Sequence, residues 1–300
     1  MEWINSHSGE FAALLTAFFW TITALAFESA SHKIGSLAVN VIRLLIGLIF
    51  LSIYTLIRRG LFLPLDASLE NWIWLALSGL VGFVFGDLFL FKSYTIIGSR
   101  FSMLILTIVP PLTAFFGWII LGEKLTLFNY LGMTLTFFGI ALAIFSRENR
   151  NEKFTLKLSP KGILFAFFGA IGQALGLVLS KFGMTDYDPF AATQIRIIAG
   201  IAGFGLLVSI LGRWQRVYDA VFNLKAFITV TIGSFFGPFL GVSFSLIAVK
   251  YTQTGIASTI IAIIPILLIP PAIFIYKQKV TWLEITGSIV SVGGVAMFFV

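Results

Sequence analysis

The stretch GDLFLFKSYTIIGSRFSMLILTIVPPLTAFFGWIILGEKLTLFNYLGMTLTFFG, Gly86 to Gly139, decides the fold. It holds one aspartate inside an apolar run, one double proline and one charged turn, and it recurs in degenerate form near the C-terminus. Pro110 answers to Pro265, an offset of 155. At that offset Gly82 meets Gly237, Gly86 meets Gly241, Lys124 meets Lys279, Thr126 meets Thr281, Gly132 meets Gly287 and Gly139 meets Gly294. Upstream, LAVNVIRLLIG (Leu37–Gly47) matches FAATQIRIIAG (Phe190–Gly200), which sets Arg43 on Arg196 and Gly47 on Gly200 at an offset of 153. HKIG (His32–Gly35) matches SKFG (Ser180–Gly183) at 148. A period of this kind outranks any local reading of secondary structure. The chain is two copies of one module, 1–150 and 151–300.

Composition gives the medium. Of 300 residues, 58% are hydrophobic and 11% charged, and the mean hydropathy is +1.01. A water-soluble surface needs about twice that charged fraction, so the chain is an integral, multi-pass membrane protein with the lipid bilayer as its partner. The net charge of +7 sits at the ends of apolar runs, where lysine and arginine mark topology and meet anionic lipid; it is no nucleic-acid signal. There is no cysteine, hence no disulfide, thiolate metal site or cysteine nucleophile. MEWINSHSGE carries no Lys or Arg, unlike a cleavable signal peptide, so the first apolar run is expected to be retained.

A helix needs about 20 apolar residues to span the hydrocarbon core. Ten candidates are present: 10–28, 37–57, 72–95, 100–121 and 126–146 in the first half, then 160–182, 190–211, 226–249, 254–276 and 281–300. RENRNEKFTLKLSPK (Arg147–Lys161) is the long polar linker, and the other connections read as short. Five crossings leave the chain on the far side, so the second copy enters upside down. The expected fold is therefore an all-α membrane protein, with ten transmembrane helices as two inverted five-helix repeats. Transporters use this design, with the binding site near the midplane between the repeats.

GEKLT (Gly122–Thr126) followed by Gly132 and Gly139, the proline-bearing fourth helix, and the IR-x3-G of the second helix resemble the EamA family of the drug/metabolite transporter superfamily. The resemblance covers nearly the whole chain. The second copy departs from it: Tyr276-Lys277-Gln278-Lys279 stands where Leu121-Gly122-Glu123-Lys124 does, which argues against an essential carboxylate in both halves. The resemblance implies a ten-helix carrier of small metabolites or drugs, often an exporter, in a bacterial or archaeal plasma (inner) membrane, as monomer or homodimer, without a cofactor. A non-transporting membrane structural or lipid-handling protein is the alternative. No Walker, H-E-x-x-H or G-x-S-x-G motif is present, so the chain does not read as an enzyme or an ATP-driven pump, and no metal site is expected.

Asp87 is the sharpest candidate site residue. It lies about 22 Å into the third span, and an ionisable group at that depth is by default a functional hypothesis. The structural alternative is a local pair with Lys92, which lies about 140° around the helix and is poorly placed for it. Arg43 and Arg196 each lie about 9 Å inside a span, near opposite mouths, as gates or substrate clamps or else as snorkelling anchors. Asn40 shares a face with Arg43, and Thr193 with Arg196. Glu28 is expected to join Arg43 and Asp87 in one charge network, or to be a solvated helix end. Gln173 sits mid-span, for substrate or for a neighbouring helix. Trp20, with Phe18 and Phe168, is expected along the path. Pro110, Pro111, Pro265, Pro270 and Pro271 interrupt equivalent helices as hinges or fixed kinks. Twelve Lys and Arg in odd-numbered connections against five in even ones place both termini outside by the positive-inside rule; the family resemblance implies both inside.

Overall fold

The computed structural model describes residues 6–148, 159–274 and 281–300, all helix and connection with no strand among them. The first half runs α1 (Ser8–Ile34), α2 (Ser36–Arg59), α3 (Leu69–Gly79), a π-helical segment π1 (Leu80–Gly86), α4 (Asp87–Leu106), α5 (Val109–Leu121) and α6 (Leu127–Glu148). The second runs α7 (Pro160–Met184), α8 (Pro189–Ile210), a short α9 (Trp214–Val221), α10 (Leu224–Ser234), π2 (Phe235–Gly241), α11 (Val242–Tyr251), α12 (Thr254–Ile261), α13 (Ile264–Leu267), α14 (Ile269–Phe274) and α15 (Trp282–Ala296). Among the described residues eight helices are long and apolar enough to cross a membrane, and two shorter apolar ones, Val109–Leu121 and Leu127–Ala143, occupy the fourth and fifth expected positions.

Local chemistry explains the boundaries. Gly35 adopts φ +82°, a conformation that side chains resist, and separates α1 from α2 by a single residue. Ser68 and Asn71 form a capping box at the start of α3, and Thr281 and Glu284 form another at the start of α15. The third and fourth spans are joined by continuous helical hydrogen bonding through residues 96–100, where the sequence suggested a break. The turn is nonetheless there. Ser93 Oγ donates to Ser102 Oγ at 2.7 Å, whereas nine residues of straight helix rise about 13.5 Å, so the chain doubles back between them. The prolines break helices as expected: α4 ends just before Val109-Pro110-Pro111, and the ninth span is cut into α12, α13 and α14 around Pro265 and Pro270-Pro271. The seventh connection is not a plain loop. It contains α9, whose Trp214, Tyr218 and Phe222 flank are exposed beside Arg213 and Arg216, the make-up of an interfacial helix.

Glycines let the helices meet backbone to backbone. A Cβ on Gly139 would lie 2.5 Å from Gly287 O, and one on Gly294 would lie 2.7 Å from Gly132 O, so the repeated glycines of α6 and α15 seat against each other. The third span packs on α7 in the same way: Cβ atoms on Gly172 and Gly176 would come within 2.6 and 2.7 Å of the Gly86 and Gly82 Cα atoms. Its counterpart α10–π2–α11 packs on α1, with Gly237 against Thr23 and Gly241 against Trp20. Each half thus lays its third span on the first helix of the other half. The second helices echo this, since Gly47 packs on Pro238 while its counterpart Gly200 packs on Phe83, and 83 + 155 = 238.

Candidate functional site

The two π segments fall in one register: 80 + 155 = 235 and 86 + 155 = 241. A π segment leaves carbonyls with altered partners, and such segments concentrate at functional sites. Both end on a glycine, after which the halves diverge: Asp87 follows Gly86, and Val242 follows Gly241.

Asp87 opens α4 and is ion-paired with Arg43 of α2, Oδ2 to Nη2, with only 14% and 13% of the two side chains exposed. Of the expected network the Arg43–Asp87 link is present, and Lys92 lies over the Phe165 ring. Arg43 also stacks over Phe27 of α1, 5.5 Å from the ring centroid, so three spans converge on this cation. The side chain of Glu28 lies outside the described residues. Asn40 is buried, but its Nδ2 donates to Ser36 O of its own helix, leaving Oδ1 without a partner.

Arg196 of α8 is the counterpart of Arg43 and is in a different situation. It is 5% exposed, with its guanidinium over the Phe83 ring at 5.0 Å and Nη2 facing Gly82. No described residue forms an ion pair or hydrogen bond with it, and Nε is buried without a partner. Gln194, two residues earlier, is fully buried and ties the halves by donating to Ser52 Oγ and Phe62 O. Gln173 is half-buried on α7, its backbone against Gly86. Trp20 is wedged between two core clusters and against Gly241. Phe18 is exposed, with its ring edge to Phe19, and Phe168 packs with Phe85 and Phe89. Membrane helices are apolar on both their inner and lipid faces, so composition alone does not separate the two. Pro110 and Pro111, with Thr107, Trp118, Tyr130 and Thr136, line a cavity of about 450 Å³ whose rim residues are exposed aromatics.

One set of polar contacts between the halves was not foreseen. Glu123, in the turn after α5, accepts from Lys181 Nζ of α7 at 2.7 Å, and from the backbone N and Oγ1 of Thr254 at 2.8 and 2.6 Å. It thereby caps the N-terminus of α12 with a carboxylate, where the helix dipole favours one. Lys181 also donates to Thr252 O, and Thr252 Oγ1 donates to Glu10. Beside this, Arg59 Nη2 pairs with Asp66 at 2.5 Å, and Tyr187 donates to Asp66 at 2.8 Å. Burial opposes the charged form of Asp66, but the Tyr187 and Arg59 bonds prevail and hold its carboxyl below the ordinary value. Burial, with Asp66 nearby, pushes the Tyr187 phenol up to about 12. Both clusters join the first half to the second, on the face where α1 begins and α15 ends.

Comparison with known proteins now decides the family. The model of the EamA-like transporter family matches residues 7–145 and again 160–300. The chain belongs to the EamA-like transporter family. It is 22% identical over 215 residues to human solute carrier family 35 member G1, covering 70% of this chain and 58% of that protein's length. A solved crystal structure superposes with a TM-score of 0.74 over 97% of this chain and 95% of that one at 17% identity, which shows a shared fold. As an EamA-like transporter the protein is an integral membrane protein. Its two family matches correspond to the repeat read from the glycines and prolines.

Proposed function

We propose that the protein is a secondary carrier that moves small organic metabolites or drugs across a bacterial or archaeal plasma membrane, outward, by alternating access. In this reading the eight long helices and the two shorter ones make ten crossings in two inverted halves. The observation that carries it is the pair of π segments at equal register, one in each half, flanked by the partly buried Arg43–Asp87 pair and by Arg196. A departure from the α-helical hydrogen-bond ladder within both repeats suits a midplane site between inverted repeats. The swapped packing of third spans on first helices supports the same picture, because it lets one half rock against the other without unpacking either. The Glu123–Lys181 and Arg59–Asp66–Tyr187 clusters then act as the closed gate of one mouth.

Energy coupling falls to Asp87. A proton needs one carboxyl whose affinity changes between states, and separation from Arg43 would change it. Counterflow in proteoliposomes tests the carrier reading: preloaded solute should drive accumulation of labelled solute without any ion gradient. A folded protein that exchanges none of a broad panel of amino acids, nucleobases, sugars and cationic drugs would favour the structural or lipid-handling alternative.

A further inference from the structure

Arg196 is a buried cation without a counter-ion among the described residues. Its counterpart shows what is missing. In the first half Asp87 neutralises Arg43; the position equivalent to Asp87 is 87 + 155 = 242, and Val242 stands there, buried. The second half carries the arginine without the carboxylate. An arginine does not shed its proton, and leaving an ion unpaired inside a protein costs several kcal/mol. The Phe83 ring 5.0 Å away returns only about 0.5–2 kcal/mol. The charge therefore calls for an anion from outside the fold.

We propose that Arg196 binds an anionic oxygen group, carboxylate or phosphate, of the transported solute. The proposal rests on the carrier reading above. Arg196 lies seven residues into α8 from Pro189, about 10 Å in, beneath the face that Glu123 and Lys181 close. Nη2 faces Gly82, where a Cβ would come within 3.5 Å of it, so this position presents no side chain to the guanidinium. A guanidinium presents paired donors that match carboxylate and phosphate oxygens. Gln173 lies on the same face of α7 as Gly176, one turn away, as a neutral hydrogen-bonding group for the rest of such a solute. A cationic solute would meet an uncompensated positive charge here.

The test uses the purified full chain in low-salt buffer, with succinate, glucose 6-phosphate, glucose and choline as probes. Thermal unfolding reads binding, and counterflow in proteoliposomes reads transport. Succinate or glucose 6-phosphate is expected to raise the melting temperature saturably, whereas glucose and choline are not; which anion acts separates carboxylate from phosphate. Arg196→Gln should weaken the anion response about 10- to 100-fold. Val242→Asp should abolish it while raising the melting temperature of the unliganded protein, which keeps the test readable if Arg196→Gln folds poorly. Absence of a response to both anions, an equal response to chloride, or an undiminished response in both variants would overturn the inference. Arg196-independent exchange of glucose or choline would overturn it and leave the carrier reading standing. Arg196-dependent anion binding without exchange would uphold the site and sink the carrier reading.

Discussion

Glu123→Ala should open the latched mouth. In the structure the carboxylate accepts three hydrogen bonds, one from Lys181 and two from Thr254. The Lys181 bond is charge-assisted and would be worth about 1.5–3 kcal/mol if fully buried. The side chains are 10% and 25% exposed, so solvent screening brings it to about 1–1.5 kcal/mol. Capping α12 adds about 1 kcal/mol. If these bonds exist only when the mouth is closed, their loss of roughly 2.5 kcal/mol shifts the closed-to-open ratio by nearly two orders of magnitude, at 1.4 kcal/mol per factor of ten. The chain has no cysteine, so Ser258→Cys supplies a single, nearly isosteric thiol. Ser258 is buried, lies one turn beyond Thr254 on the same face of α12, and faces Thr113. Its maleimide labelling rate should rise about 10- to 100-fold with Glu123→Ala. Lys181→Ala should act in the same direction, and the double variant should fall short of the sum because the two share one bond. A lowered melting temperature with unchanged labelling would refute the reasoning, since the bonds would then persist in both states and serve only as glue.

Other outcomes follow from the same contacts. Asp87→Asn should abolish uptake driven by a pH gradient in proteoliposomes while sparing solute exchange; full gradient-driven uptake would remove Asp87 from coupling, and loss of exchange would make it a binding or structural residue. Gly139→Ala places a Cβ 2.4 Å from Ser291 N, so α6 and α15 must separate at a cost of about 1–3 kcal/mol. Gly205→Ala, with nothing within 4 Å, should be neutral or stabilising by up to about 1 kcal/mol, and thermal unfolding of the two compares them directly. The raised Tyr187 pKa means that its contribution is complete below pH 10 and is lost as pH climbs toward 12. Unfolding midpoints between pH 9 and 12 should therefore fall more steeply for the native chain than for Tyr187→Phe. The depressed Asp66 works in the opposite sense: its contribution holds above its ordinary 3.8 and disappears as pH falls below that.

What was legible followed from period and polarity. The repeat, the membrane setting and the Arg43–Asp87 association were readable because glycine, proline and intramembrane charge are rare enough to stand out at a fixed offset. The Glu123–Lys181 latch was not, since its partners are 58 residues apart and belong to different halves, and the loss of the carboxylate in the second copy argued against a shared role. The π segments left no trace, because a one-residue bulge in the hydrogen-bond ladder needs no particular side chain. The amphipathic α9 was hidden by treating the seventh connection as a short loop, although Arg213-Trp214 and Arg216 carry the composition of the membrane interface.

The two differences between the repeats both set the halves apart in energy. In a carrier made of identical inverted modules, the inward- and outward-closed states would have equal energy, because each is the other turned over. Here the symmetry is broken twice by a single carboxylate. Glu123 latches one mouth onto Lys181; the equivalent positions in the other copy, 123 + 155 = 278 and 181 − 148 = 33, are Gln278 and Lys33, and an amide carries no charge to set against a lysine. Asp87 neutralises Arg43, and Val242 leaves Arg196 bare. The latched mouth is thus the one nearer the unpaired arginine, so the closed state buries a charge that an entering anion would satisfy. Glu123 thus holds the empty protein closed at this mouth, while the bare Arg196 works against that closure until a solute supplies the missing anion. Gln278→Glu, which gives the second repeat the same turn carboxylate, should push the two states back toward equal population, whereas Val242→Asp, by neutralising Arg196, should deepen the closed state.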